Sequence, residues 1–270
     1  MSGAGSLRLS QLTVYPIKSA RGIPLDQWEV DDFGLRLDRR WMVVDQRGEF
    51  ISQRSEPRMA LVVPSIVDGR LKVEAPGMPP LELRPNPPAT VTAEVTVWEG
   101  HCQATWLGAR PADWFSRYLG SPVSLVYMDE QTVRPANPVY APEDTRVSFT
   151  DGYPFLLISE ASLADLNHRL SVPLPMNRFR PNLVISGGEP YQEDHWGEIQ
   201  IGEIPMRVVK PCARCVITTT DQTTGERGDE PLRTLATYRK GNGGVMFGQN
   251  VVHWGRGRLH VGDDLSLNKP

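Results

Sequence analysis

The chain has 270 residues, 40% apolar and 23% charged, with a formal net charge of −3 at neutral pH. That length suits one large or two small domains with proper cores, and the negative balance excludes a general attraction to nucleic acid, leaving anion binding to local clusters of cations. Three cysteines are too few, and odd in number, for a secreted disulfide framework, no apolar run reaches membrane-spanning length, and Met1-Ser2-Gly3-Ala4-Gly5-Ser6 lacks the pattern of a leader, so a cytoplasmic protein that engages no membrane and no nucleic acid is expected.

Twenty-four prolines and 24 glycines break the sequence into short apolar alternations, which read as many strands with few helices. In chain order the strand signals are Leu12 with Val14, Trp41 to Val44, Leu71 with Val73, and Val95 with Val97. Pro111 to Leu119 reads as a helix, with Pro111 at a first helical position and Phe115, Tyr118 and Leu119 on one face. Leu83 to Ala89 and Arg134 to Asp144, both proline-rich, read as irregular surface segments, and a change of module is expected between residues 125 and 130. The second half opens with the turn Asp151-Gly152-Tyr153-Pro154-Phe155, then the strand Leu156 to Ile158, then a helix over Ser159–Leu170 capped by Ser159. Strands follow at Leu183 to Ile185, Val208 to Val209, Val216 to Thr220 and Leu259 to Val261. Between the last two lie a helix at Pro231 to Tyr238 and a polar turn at Phe247-Gly248-Gln249-Asn250. The fold class is mainly β with a few helices.

Two of the three cysteines stand in Lys210-Pro211-Cys212-Ala213-Arg214-Cys215. The cations beside them favour the thiolate, which is the form that attacks electrophiles and binds soft metals. A zinc ribbon would need a second pair, and Cys102 is alone. A thioredoxin-like dithiol should open a helix, whereas a β-branched run follows. A single working thiolate with a neighbour fits better, beside the plain alternative of two buried small hydrophobes. Cations also follow or precede strand signals at Lys18-Ser19, Arg39-Arg40, Arg54 and Arg180. Most such charges are simply solvated; the combination with hydroxyls, Asn182 and tight turns is what phosphate or heterocycle recognition uses. Walker, dinucleotide and nucleophile-elbow signatures are missing, and His195, His253 and His260 read as structural.

The segments Tyr15-Pro16-Ile17-Lys18-Ser19, Asp38-Arg39, Ser159 to Asn167, Asn177-Arg178-Phe179-Arg180-Pro181-Asn182, Pro211 to Cys215 with Thr218-Thr219, and Phe247-Gly248-Gln249-Asn250 together resemble the MOSC-domain molybdenum enzymes of the amidoxime-reducing type, bacterial YcbX proteins included. The resemblance implies an N-terminal β-barrel over residues 1–125, its first 40 or so packing partly with the other half, and a MOSC β-barrel domain over 126–270. It implies a molybdenum cofactor of the molybdopterin type between them. Cys215 corresponds to the thiolate ligand of the metal. Lys18, Ser19 and Arg39 correspond to the phosphate anchors, and Asp151, Gly152, Tyr153, Arg180, Asn182, Ala213 and Arg214 to the lining of pterin and metal.

The implied activity is reduction of N-hydroxylated compounds (amidoximes, hydroxylamines, N-hydroxylated nucleobases), a detoxification chemistry, with Asp151 a candidate for proton handling. Arg214 is expected to help keep Cys215 anionic. Tyr153 departs from the small hydroxyl residue of the mitochondrial proteins. With no cysteines for an iron–sulfur domain in the sequence, electrons are expected from a separate flavin reductase or ferredoxin-type protein. A sulfur carrier using a Cys215 persulfide, or a non-catalytic cofactor carrier, are the alternatives.

Overall fold

The computed structural model describes residues 6–88, 91–142, 144–241 and 243–267; Met1 to Gly5, Ala89 of the first proline-rich segment and Pro270 lie outside them. Its largest sheet has nine strands. In spatial order these are Leu265–Leu267, Glu198–Ile201, Ile204–Arg214, Gly244–His253, Phe155–Ser159, Leu183–Ser186, Arg8–Val14 and Ile23–Leu25, with Lys240–Gly241 added beside Gly244–His253. Pairing is antiparallel except between Phe155–Ser159 and Leu183–Ser186, where α2 (Glu160–Arg169) makes the crossover that parallel strands require. Ser159 Oγ accepts from the Ser162 N–H at 3.1 Å and caps α2 as its position suggested, while Leu166 turns inward.

Arg8–Val14 pairs with Leu183–Ser186, so the first strand of the chain is a strand of the C-terminal half's sheet. Leu9, Leu12 and Val14 pack with Phe155, Leu183, Ile199, Met206 and Val251 in one core. The second core belongs to the first half: Trp41, Phe115, Leu125 and Tyr127 are its large buried members, and α1 (Ala109–Leu119) closes it with Trp114, Phe115, Tyr118 and Leu119. Here a four-stranded sheet runs Trp41–Val44, Ser124–Tyr127, Gly100–Trp106, Thr92–Val97. Its second strand ends at Tyr127, so it straddles residue 125. Two three-stranded sheets, one of them Val63–Val67, Arg70–Glu74 and Leu81–Leu83, complete the fold. Half-buried Ile23 and Trp28 pack against both cores and mark the seam.

Three elements differ from the sequence reading. Val216–Thr219 is a 3-10 turn, not a strand. The Thr218 N–H and hydroxyl both bond back to the Cys215 carbonyl, at 3.1 and 2.9 Å, and the Thr219 hydroxyl bonds the Val216 carbonyl at 2.8 Å. Such local hydroxyl-to-backbone bonds overcome β-propensity. Phe247 to Asn250 lies inside the strand Gly244–His253 rather than in a turn. The third helix is only α3 (Leu232–Leu235), with Leu235 buried.

Candidate functional site

Lys18, Ser19, Arg39, Asp151, Gly152, Tyr153, Arg180, Asn182, Ala213, Arg214 and Cys215 all line one cleft at the seam, which encloses about 830 Å³ with its mouth. Every site residue singled out from the sequence is thus brought to one place. Backbone bonds set the arrangement: Lys18 N–H to the Trp41 carbonyl at 2.8 Å, Arg39 N–H to the Tyr15 carbonyl at 2.8 Å, and Thr13 N–H to the Asn182 carbonyl at 2.9 Å. Ser19, Arg39 and Arg180 hold left-handed backbone, with φ of 68°, 48° and 57°. Those bends turn their side chains off the strand course.

Five cationic side chains (Lys18, Arg39, Arg54, Arg180 and Arg214) face one carboxylate, Asp151, in this lining. Arg54, Thr150 and Cys212 are lining residues that the resemblance did not assign. Arg54 was visible only as a cation in a hydroxyl-rich turn; nothing in the sequence singled out Thr150.

The guanidiniums of Arg39 and Arg180 lie over the Tyr15 ring, 4.2 and 4.5 Å from its centroid. Tyr15, whose hydroxyl donates to the Pro181 carbonyl at 3.0 Å, is pushed up to about 12 by burial, against the pull of those two arginines. Arg180 is itself lowered to about 10 by burial, and it donates to the Gln222 amide oxygen at 3.4 Å. Arg39 donates to Asp38 at 2.5 Å and to Asn182 Oδ1 at 3.0 Å. Asn182 is spent on the fold: its oxygen also accepts from Leu156 N–H at 3.2 Å, and its NH₂ donates to Thr13 and Asp38, both at 3.1 Å. Asn182 therefore positions Arg39 and has nothing left to offer a ligand.

Lys18 Nζ donates to Asp151 Oδ1 at 2.6 Å and to the Phe149 carbonyl at 2.8 Å. The Asp151 side chain is 59% exposed; desolvation by its protein neighbours opposes ionisation, but Lys18, with Arg54 and the Trp98 N–H, outweighs it and holds the carboxyl well below the ordinary range. Asp151 is therefore an ionised partner of Lys18 and has no proton to give at neutral pH. Lys18 is shifted down by burial, against the pull of Asp151.

Cys215 stands where the strand Ile204–Arg214 passes into the 3-10 turn, with extended backbone. The expected role of Arg214 beside it is not what forms: its Nη1 donates to Cys212 Sγ at 3.0 Å and its Nη2 to the Phe179 carbonyl at 2.5 Å. The ladder is irregular between Pro211 and Ala213, and there the long Arg214 side chain meets Cys212 and not its direct neighbour. Lys210 extends over the Tyr140 ring, 4.6 Å from its centroid. Cys212 also lines the cleft and is half-buried, so it is more than a structural thiol. The dithiol reading fails because Cys212 lies within the strand, not because a strand follows Cys215.

Residues 6–122 match the MOSC N-terminal beta barrel domain and residues 144–266 the MOSC domain. The human mitochondrial amidoxime-reducing component 1 is 36% identical over 279 residues, which span 96% of this chain and 82% of the human protein. The chain belongs to this MOSC-domain family. The rat mitochondrial amidoxime reducing component 2 is 38% identical over 95% of this chain and 82% of its own length. A tomato molybdenum cofactor sulfurase is 36% identical over 89% of this chain, which spans 32% of that longer protein. The family membership agrees with the fold, a mainly β chain built as an N-terminal β-barrel domain plus a MOSC domain. Two animal relatives are named as mitochondrial, which does not support the cytoplasmic expectation; among the described residues no helix is long and apolar enough to cross a membrane.

Proposed function

We propose that the cleft binds a molybdenum cofactor of the molybdopterin type and that the protein is a reductase of N-hydroxylated compounds. One observation carries this reading: two cysteine thiols and five cations line a single cleft in which Arg54 Nη1, Thr150 Oγ1 and Arg214 Nε are buried without a hydrogen-bond partner among the described residues. Buried donors of this kind are expected to meet an acceptor. A ligand that carries a phosphate and a soft-ligated metal fits that donor set, and the names of the relatives support it. Lys18, Ser19 and Arg39 would hold the phosphate, Asp151, Gly152, Tyr153, Arg180, Ala213 and Arg214 the pterin, and the Cys215 thiolate the metal.

When bound, the cofactor supplies two-electron chemistry at molybdenum. The balanced reaction is R–NH–OH plus two electrons and two protons giving R–NH₂ and water; amidoximes, hydroxylamines and N-hydroxylated nucleobases are substrates of this type. The electrons come from a separate donor protein of flavin reductase or ferredoxin type. Ionised Asp151 holds Lys18 at the cleft, and the protons come from solvent. Asn182 and Asp38 fix the Arg39 fork, and Tyr15 supports the Arg39 and Arg180 guanidiniums.

Metal analysis of the purified protein, paired with reduction of an amidoxime to its amidine, tests the assignment. Cys215→Ala is expected to lose molybdenum and turnover while remaining folded, and Cys212→Ser to retain the metal. The reverse pattern would move the metal ligand to Cys212. Protein replete in molybdenum that turns over no amidoxime rejects the reductase reading. The sulfurase similarity favours a second reading, a sulfur carrier with a persulfide on Cys215. Cyanide-labile sulfur at Cys215 without molybdenum would select it, whereas bound cofactor with no redox turnover would indicate a carrier.

A further inference from the structure

We propose that Arg54 is an additional oxyanion-binding residue of the cleft, presented by Trp98 and held in reserve by Asp151, and that its ligand is a phosphate monoester. Arg54 belongs to a tight turn in which Ser55 N–H and Glu56 N–H both bond the Ser52 carbonyl, at 3.1 and 2.8 Å. Its guanidinium lies 4.3 Å from the centroid of the Trp98 ring. Trp98 forms the tip of the hairpin between Thr92–Val97 and Gly100–Trp106, with a left-handed φ of 59°. Its indole N–H donates to Asp151 Oδ1 at 3.2 Å, and its ring meets the edge of Phe50 at 5.1 Å. Phe50 in turn lies under Lys18 Nζ, 4.9 Å from the ring centroid. The hairpin of one half is thereby fastened to a carboxylate of the other.

Two cations share that carboxylate. Lys18 holds Oδ1 at 2.6 Å, while Arg54 Nη2 stands 3.9 Å from Oδ2, beyond hydrogen-bond reach. Arg54 Nη1 is buried and has no hydrogen-bond partner among the described residues. A stacked guanidinium with an idle N–H and a loose ion pair is a fork waiting for two oxygens. Asp151 fills the place of an anion without filling its valences. The side chain is 59% exposed, and it rides on an irregular segment before Phe155–Ser159, so it can yield. A phosphate monoester brings more charge and more acceptor oxygens than a carboxylate, enough to engage the Lys18 ammonium, both Arg54 nitrogens and the Trp98 N–H together. The shared chemistry has two sources, the phosphate of a cofactor seated in the cleft or that of a second phosphorylated ligand.

The contacts among Lys18, Arg54, Trp98 and Asp151 are all between protein groups, so metal-free full-length protein can be titrated calorimetrically with phenyl phosphate, and the result does not depend on the molybdenum assignment. Arg54→Gln is expected to weaken binding about tenfold or more, the loss expected for a charge-assisted hydrogen bond, and Arg54→Lys to recover part of it. Asp151→Asn removes the internal competitor and is expected to tighten binding several-fold, a gain that a misfolded variant could not show. Arg54→Gln binding as tightly as wild type, or Asp151→Asn bringing no gain, would overturn the proposal. Repeating the titration on cofactor-loaded protein separates the sources: abolished binding assigns Arg54 to the cofactor's phosphate, and retained, Arg54-dependent binding to a second ligand.

Discussion

Asn182→Asp is the most searching single change at this site. The Asn182 side chain is 2% exposed and makes four hydrogen bonds, one of them from its NH₂ to Asp38 Oδ1 at 3.1 Å. The substitution keeps the shape and the oxygen that accepts from Arg39 and Leu156, but it faces Asp38 with a second carboxylate. Two like charges at that separation repel by about 5 kcal/mol at an effective dielectric constant of about 20. The alternative is for the pair to take up a proton, and burial already raises the Asp38 carboxyl, against the pull of Arg39. Protonating an ordinary aspartate costs about 5 kcal/mol at about pH 7.5 and about 1.5 kcal/mol at about pH 5. The two routes cost about the same near neutrality, and only the second becomes easier in acid. A carboxyl whose folded pKa is raised gives its stability below the unfolded value and loses it as pH rises through the folded one. Asn182→Asp should therefore regain about 3 kcal/mol between about pH 7.5 and about pH 5, relative to Asn182→Ala. The alanine variant instead lacks the hydrogen bonds at every pH, a loss of about 3 kcal/mol or more. Urea denaturation of the two variants at both pH values reads the difference directly. If the aspartate variant tracks the alanine variant at both, the Asp38–Asn182–Arg39 clip is not as described.

His253 and Gly248 offer independent checks. His253 Nε2 donates to the Asp31 carbonyl at 2.7 Å while Nδ1 is buried without a partner among the described residues, and burial lowers its pKa. Folding therefore disfavours the protonated ring, and stability contributed by His253 is lost as pH falls through about 6.5. Asp31, raised by burial, works in the opposite sense, so the informative comparison is His253→Gln against wild type, in which the acid-side slope should flatten. Identical slopes would show that the histidine titrates freely. Gly248 has a φ of +80°, and an added Cβ would sit 2.6 Å from Ile158 Cγ1 and 2.9 Å from the Leu157 carbonyl. Gly248→Ala should cost about 2–4 kcal/mol and lower the melting temperature by about 4–8 °C, and an unchanged melt would contradict the strand spacing there.

Much of the architecture was legible because it follows local rules. Ser159 announces α2, the spacing of Phe115, Tyr118 and Leu119 announces α1, and alternation marks the strands at Leu12, Trp41, Leu71, Val95 and Leu183. The full set of site residues came from the family resemblance; physical reading of the residues alone offered a reactive cysteine pair and cations scattered near turns. What could not be read is which groups meet across the seam. The pairing of Arg214 with Cys212 forms at an irregular point of the ladder, between Pro211 and Ala213, which no local sequence signal marks. The Lys18–Asp151 pair joins residues 133 positions apart, and Trp98 reaches Asp151 only because a hairpin tip ends there. Phe247 to Asn250 looked like a turn for its glycine; Gly248 instead serves close packing within a strand.

The left-handed residues connect this geometry to function. Ser19, Arg39 and Arg180 line the cleft and Trp98 touches Asp151, and none is the glycine or asparagine that such backbone prefers. Each bend costs about 1–2 kcal/mol, so the four together hold several kcal/mol of strain. Glycine at any of them would relieve the backbone but remove a hydroxyl, a guanidinium or an indole from the cleft. The strain is tolerable because the surrounding bonds over-determine the backbone: the Arg39 N–H and carbonyl are both engaged, by Tyr15 and Phe149, and the residues flanking Arg180 are held through Phe179 and Asn182. The cationic cleft is thus a property of the seam: either half alone would lack both the partners that hold the bends and the opposing charges that give the cleft its ligand.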